Sequence, residues 1–248
     1  MKIEIVTLFP DYFSLALQQS LIGKAWANKL FDIAIINLRD FAVDKHRTVD
    51  DTPCGGGGGM VLKLEPLDRC LQSLGWKPRV AGAPQERLIL TSASGRPLTQ
   101  SRAIEYSLCD RLTVICGHYL GVDERLAELY QLDEVSVGDY VLSGGEPAAL
   151  VIVDAVARLV PGVLGNFESA LDDSYMDVLT GPPCYTRPIE YAGLKVPDEL
   201  LSGDHEAVRR FRRLMAIKKC ARYRPDLLER AELTEDELLM LENENDEI

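Results

Sequence analysis

No C-x-x-C pair occurs among the six cysteines (Cys54, Cys70, Cys109, Cys116, Cys184, Cys220). Their scatter points to reduced thiols in a cytoplasm and away from a zinc site. No sustained apolar run opens the chain: MKIEIVTLFPDYFSL carries charges at Lys2, Glu4 and Asp11, and is expected to be neither a signal peptide nor a membrane span. The glycine run Gly55–Gly59 lacks the Lys-Ser/Thr that a phosphate-binding P-loop needs, because Met60-Val61 follows it. Met60 also breaks the G-x-G-x-x-G dinucleotide fingerprint. No internal repeat is present. Basic residues are in deficit, with a formal charge of −12 that looks hostile to nucleic acid.

That deficit is local. Asp226–Ile248 holds ten acids and one base, so −9 of the −12 sits in the last 23 residues and the other 225 carry −3. Val208–Arg224 (VRRFRRLMAIKKCARYR) has eight bases and no acid. It reads either as a solvated helix face or as a patch that binds phosphates whatever the total charge. The chain has 248 residues, 46% hydrophobic and 27% charged, which is enough for a substantial core and typical of a soluble globular protein rather than a disordered one.

Ile3, Ile5 and Thr7 alternate with Glu4 and Val6 in a strand-like start closed by Pro10. Asp11–Leu30 reads as one amphipathic helix, weakened by Gly23, and Phe31–Leu38 as a second strand, so the chain opens β-α-β like a parallel α/β sheet. Lys45, His46, Arg47, Asp50 and Asp51 flank the glycine run, a density of charge suited to a substrate-facing loop that closes. Helices are expected at Leu64–Leu74, Thr99–Leu108 and from Glu146 to the Pro161-Gly162 stop, with a strand at Arg87–Thr91 entering a small-residue loop at Ser92–Gly95. In the stretch Leu112–Gly145, two apolar bursts, Leu112–Cys116 and Tyr140–Leu142, read as buried strands. Each is followed by glycines, Gly117 and Gly121, then Gly144 and Gly145, where a ligand can approach the main chain. Two such loops side by side make a backbone-lined pocket for a flat polar cofactor. Asn166–Thr180 has no clear period and reads as an inter-domain linker. Helices follow from about His205 to Tyr223 and from Thr234, where Thr234 and Glu237 fit a capping box.

The blocks HRTVDD with GGGGGM (His46–Asp51, Gly55–Met60), CGHYLGVDER (Cys116–Arg125), VGDYVLSGGE (Val137–Glu146), DAVARLVPGVLG (Asp154–Gly165), LDDSY (Leu171–Tyr175), YTRP (Tyr185–Pro188) and SGDHEAVRRFR (Ser202–Arg212) occur in one order over nearly the whole chain. In that order and spacing the sequence resembles the bacterial tRNA (guanine-N1)-methyltransferases of the TrmD family, in the SPOUT trefoil-knot superfamily. The resemblance implies an α/β fold whose parallel sheet carries a deep trefoil knot, plus a small all-α C-terminal domain. It implies an S-adenosylmethionine-binding domain over 1–165, a flexible linker over 166–180 that carries the catalytic base, and a helical tRNA-binding domain with an acidic tail over 181–248. It further implies a cytoplasmic homodimer, without membrane attachment, whose active sites are shared between subunits, and methylation at N1 of guanine 37, just 3′ of the anticodon.

By residue, the resemblance makes Asp173 the base and Arg158 the cation that meets charge developing on guanine O6. Read without it, Asp172 and Asp173 are solvated linker charges and Arg158 is an arginine favoured at a helix C-terminus. For the cofactor it carries over Thr91, Ser92, Gly117, Val137, Gly138, Asp139, Tyr140, Val141, Leu142, Gly144 and Gly145. For tRNA phosphates it points to the segment holding Arg209, Arg210, Arg212 and Arg213. Activated methyl transfer demands no metal, and Mg2+ is compatible with the sequence but not indicated by it. His118 and Leu120 stand where the family commonly has a basic residue and a glutamate, Cys54 replaces a usual aromatic, and Pro147-Ala148 reshuffles a Leu-Pro pair. Activity is expected to survive these departures, with guanine affinity or metal dependence changed. A ribose 2′-O-methyltransferase and a silent tRNA-binding homologue are the competing readings.

Overall fold

A computed structural model of the chain describes residues 1–165, 174–176 and 178–245. The chain divides into two compact units, Met1–Gly165 and Asn166–Ile248.

The first unit is built on a five-stranded parallel sheet. Its strands are β1 (Lys2–Thr7), β2 (Asp32–Asn37), β5 (Glu86–Pro97), β6 (Arg111–Ile115) and β7 (Asp133–Ser136), in the order β2-β1-β6-β5-β7. Period-two alternation decides what each face buries. Ile3, Ile5, Leu112 and Val114 face a core made with α1 (Asp11–Ser14), α2 (Ser20–Ala27), α4 (Gln100–Ser107) and α6 (Glu146–Ala157). Val6, Leu88, Leu90 and Ile115 face a second core with α3 (Leu64–Ser73) and α5 (Arg125–Leu129). Both faces are thus covered, as a parallel sheet requires. A two-stranded ribbon, β3 (Asp50–Asp51) with β4 (Val61–Leu62), brackets the glycine run.

Several expectations needed correction. Asp11–Leu30 is not one helix. After α1 a 3-10 turn covers Ala16–Gln18, Ser20 takes φ +56°, and α2 starts afresh. Gly23 explains the break, because a Cβ there would run into the Gln18 main chain. Tyr140–Leu142 is not a buried strand but an exposed loop, with Val141 91% exposed. The strand in this region is β7, whose DEVS sequence offers only Val135 as an apolar signal; it lies at the sheet edge beside β5. β5 itself runs on past Thr91 to Pro97, and its register against β7 slips between Thr91 and Arg96, so Ser92–Gly95 is a bulge within the strand rather than an open loop.

In the second unit, β8 (Glu190–Tyr191) and β9 (Leu194–Lys195) form a short hairpin that the all-helical expectation did not include. Helices α7 (His205–Tyr223), α8 (Pro225–Leu228) and α9 (Glu235–Asn245) follow. Leu179, Ile217, Cys220 and Leu227 form its small core. Asp204 caps α7 by accepting from Glu206 N and Ala207 N. The capping box ahead of α9 is present: Glu237 N donates to Thr234 Oγ1 at 3.3 Å and Thr234 N to Glu237 Oε2 at 2.9 Å. Among the described residues no helix is long and apolar enough to cross a membrane.

Candidate functional site

Beyond the C-terminal ends of β5, β6 and β7 lies a cleft of about 360 Å³. This is where open parallel sheets take their ligands. Its walls are Leu90–Ser94 from β5, Gly117–Val122 after β6, Glu134–Gly138 at the end of β7, and Tyr140–Gly145 leading into α6. The loops are tied to one another by main-chain hydrogen bonds and by the Thr91 hydroxyl. Gly145 N donates to Gly117 O at 2.6 Å, Gly117 N donates to Thr91 Oγ1 at 3.0 Å, and Thr91 Oγ1 donates to Ile115 O at 3.2 Å. His118 and Gly144 form an antiparallel bridge.

The glycines are there for room. A Cβ on Gly145 would collide with Thr91 Oγ1 and stand 2.6 Å from Gly117 N, and one on Gly144 would lie 2.5 Å from both Glu146 Oε2 and His118 Nδ1. Below them Glu146, at the first turn of α6, is buried and accepts from Thr7 Oγ1 at 2.8 Å. The end of the glycine run is tied to a residue of the wall, since Leu120 N donates to Met60 O and, next to it, Leu62 N to Gly121 O.

The structure brings Thr91, Ser92, Gly117, Val137, Gly138, Tyr140, Val141, Leu142, Gly144 and Gly145 together around this one cleft, and leaves the exposed Asp139 outside its lining. Arg158 does not reach the cleft in the same chain. It is the C-cap residue of α6, whose N-terminus forms the wall, and twelve helical residues span about 18 Å. Asp172 and Asp173 lie outside the described residues. On α7, Arg209, Arg210 and Arg212 are exposed. Arg213 is half-buried and already engaged, its Nε donating to Glu237 Oε1 at 3.1 Å and its Nη2 to Glu232 O at 3.0 Å. Burial raises the Glu237 carboxyl, but hydrogen bonds from Thr234 and Arg213 outweigh it and hold the group below its ordinary value.

Sequence reasoning missed the β7 wall (Glu134, Val135, Ser136) because that strand gave no usable pattern. It took His118 only as a departure, although the residue lines the cleft. All six cysteines are free thiols, and among the described residues no group of three or more His, Cys, Asp or Glu is placed to hold a metal ion.

The family profile described as "tRNA (Guanine-1)-methyltransferase TrmD" matches residues 1–230. Similar proteins named tRNA (guanine-N(1)-)-methyltransferase occur in Geobacter sulfurreducens (46% identical, covering 99% of this chain and 100% of the relative) and Brevibacillus brevis (48%, covering 95% of each). Another is found in Dictyoglomus turgidum (48%, covering 98% of this chain and 96% of the relative). With the profile reaching from the sheet and cleft to residue 230 and these relatives covering 95–99% of the chain, the chain belongs to the TrmD family of tRNA (guanine-1)-methyltransferases.

Proposed function

We propose that this chain methylates N1 of guanine at tRNA position 37, next to the anticodon, with S-adenosylmethionine as donor, acting as a cytoplasmic homodimer. The observation that carries the reading is the cleft in a chain of this family whose glycines let the 117 and 144–145 loops pack on each other and bring their main chain to the wall. The residues fit such a ligand. Leu90, Val137 and Ala148 supply apolar surface, while Thr91, Ser92 and the 117 and 144–145 loops supply polar groups. The donor brings an already activated methyl on its sulfonium and requires no metal for the transfer.

The remaining chemistry falls to the chain. Asp173 takes the proton from guanine N1, whose lone pair is then free to accept the methyl, and Arg158 balances the charge pushed onto O6. Arg158 stands a helix length from its own cleft, which supports a site shared between subunits: one protomer contributes the donor cleft and its partner the base and arginine. The parallel sheet is taken to carry the deep trefoil knot that the resemblance implies. Residues 1–165 then form the donor-binding domain and 166–180 the linker with the base. Residues 181–248 form the helical tRNA-binding domain, where Arg209, Arg210 and Arg212 present exposed charge to phosphates.

Incubation with methyl-labelled S-adenosylmethionine and a tRNA carrying guanine 37 tests this directly. Label on N1 is the expected result. Label on a ribose would mark a 2′-O enzyme instead, and tRNA binding without transfer a silent homologue. A second test addresses the cleft. Gly145→Ala is expected to weaken S-adenosylhomocysteine binding by about 5- to 150-fold in a calorimetric titration, because the added methyl forces Thr91 and Gly117 apart. Such overpacking costs about 1–3 kcal/mol. Unchanged affinity would remove the cleft from the reading.

A further inference from the structure

The bulge in β5 is held from both of its ends. Val135 of β7 is in register with Thr91 and again with Arg96, so Ser92–Gly95 are pushed out between two contacts with one partner residue. Ser92, Ala93 and Ser94 of this bulge line the cleft. A bulge lacks the regular ladder that fixes the strand on either side of it, so its shape depends on other contacts. At its entry the Thr91 hydroxyl is bonded to Gly117 N and Ile115 O. Beneath it the packing is close, since a Cβ on Gly95 would stand 2.5 Å from Val135 N.

The exit is held by a side chain outside the cleft. Arg102 of α4 donates from Nη1 to Arg96 O at 3.0 Å and to Pro97 O at 3.4 Å. Its Nη2 donates to Tyr106 Oη at 2.7 Å and to Asp133 Oδ1, with which it forms an ion pair. Asp133 opens β7, and its Oδ2 accepts from Tyr106 Oη. Burial, with Asp133 beside it, pushes the Tyr106 hydroxyl up, so the phenol keeps its proton and donates. One guanidinium thus joins the exit of the bulge to the start of the strand on which the bulge packs. Arg102, Tyr106 and Asp133 are all absent from the cleft lining. An apolar pair could hold α4 against the sheet equally well. It could not engage two main-chain carbonyls and a carboxylate together, a task suited to the planar fork of five donors.

We propose that Arg102 is a positioning residue for the donor cleft: by tying Arg96 O and Pro97 O to Asp133 it fixes how Ser92–Ser94 project into the cleft, and through them the affinity for S-adenosylmethionine, which it does not touch. This rests on the proposed reading of the cleft as the donor site. Without the tie, β5 and β7 remain paired but the bulge relaxes, and binding has to restore its shape. The cost falls on donor binding and not on transfer from the filled site, which depends on other residues.

The experiment is calorimetric titration of S-adenosylhomocysteine into the full chain, together with steady-state kinetics, for the wild type, Arg102→Gln, Arg102→Lys, Asp133→Asn and the Arg102→Gln/Asp133→Asn double variant. Arg102→Gln is expected to bind about five- to tenfold more weakly and to raise the KM for S-adenosylmethionine in step, with kcat at saturating donor and the KM for tRNA unchanged. Arg102→Lys keeps a charge opposite Asp133 but not the reach to both carbonyls, and should also bind more weakly. The double variant should bind no more weakly than Arg102→Gln alone, since two residues that act as one unit do not add. A merely structural arginine would lower the unfolding temperature and leave donor affinity and KM where they were, and that result overturns the inference. Wild-type affinity in Arg102→Lys would assign the role to charge alone and overturn the tie to the carbonyls, and additive losses in the double variant would overturn the link through Asp133. If Arg102→Gln does not fold, Arg102→Lys carries the comparison. Absence of saturable binding by the wild type would instead overturn the reading of the cleft itself, so the two failures are distinguishable.

Discussion

Asp173→Ala is expected to lower single-turnover methyl transfer to guanine 37 by about 10²–10⁴-fold while leaving S-adenosylhomocysteine affinity nearly unchanged. The rate loss follows from guanine chemistry: N1 carries its proton at neutral pH, and without a base in reach the lone pair needed for attack is not available. The unchanged affinity follows from the placement of the cleft. Every described residue that lines it lies between Leu90 and Ala148, well before the linker in sequence. Base and donor site are therefore separable by mutation, and one that removed both together would count against Asp173 as the base.

Arg158→Ala should follow the same pattern for a related reason. Arg158 caps the far end of α6, so its loss leaves Glu146, Gly145 and the wall they build in place. The expected signature is a fall in the rate of transfer with little change in donor affinity. An arginine that served only the helix dipole would show a small loss of stability and an unaltered rate.

What could be read in the sequence was what depends on neighbours along the chain. Helix α7 lies where the sequence places it, from about His205 to Tyr223, and the structure shows why its ends fall there: Asp204 caps its start and Pro225 stands just past its end. The opening β-α-β was legible in kind from the alternation of Ile3 and Ile5, and from Ile33 and Ile35 in the second strand. The break at Gln19-Ser20 was not, because it exists to let Gly23 pack on Gln18, a contact that periodicity does not encode. Edge strand β7 was missed, and Tyr140–Leu142 was taken for a strand in its place. Hydrophobicity reports burial only when the segment is buried, and this loop leaves its apolar side chains at the cleft mouth. The glycines at 117, 144 and 145 were legible as close-approach positions. What they approach, each other and Thr91 across more than twenty residues of chain, came only from the fold. The approach of His118 Nδ1 to Glu146 Oε2, 3.8 Å apart, lies in the same class, since two polar side chains 28 positions apart carry no mark of facing each other.

Away from the cleft, the largest stability effect is expected at Glu4. Its side chain is 1% exposed in the middle of β1, a position that alternation assigns to a core face and that a carboxylate can occupy only if paired. The pairing is dense. Glu4 Oε2 accepts from Arg111 Nε at 3.0 Å, Arg111 Nη2 at 2.9 Å and Thr113 Oγ1 at 2.7 Å, while Oε1 accepts from Lys2 Nζ at 2.6 Å. Thr113 Oγ1 in turn accepts from Trp76 Nε1 at 3.0 Å, and the Arg111 guanidinium stacks 4.8 Å from the Trp76 ring. Lys2 is more than half exposed and adds little; the weight lies with Arg111, whose side chain is 15% exposed. Glu4→Ala leaves that guanidinium with Glu86 Oε1 at 3.3 Å and the Leu74 carbonyl as partners, so the loss is expected to fall below the about 3–5 kcal/mol of a buried pair broken from one side. Urea unfolding at pH 7 should show the loss as a lower midpoint, and an unchanged midpoint would mean that the network contributes nothing. Acid provides a second check. Burial raises the Glu4 carboxyl, but hydrogen bonds from Lys2, Thr113 and Arg111 outweigh it and hold the group below the ordinary glutamate value of 4.5. A carboxyl depressed in the folded state stabilises fully above that value and loses its contribution as pH falls through the lower, folded one. The gap between wild type and Glu4→Ala should therefore be widest near neutrality and close as pH drops below about 4, because the wild type, not the variant, has a carboxylate to lose.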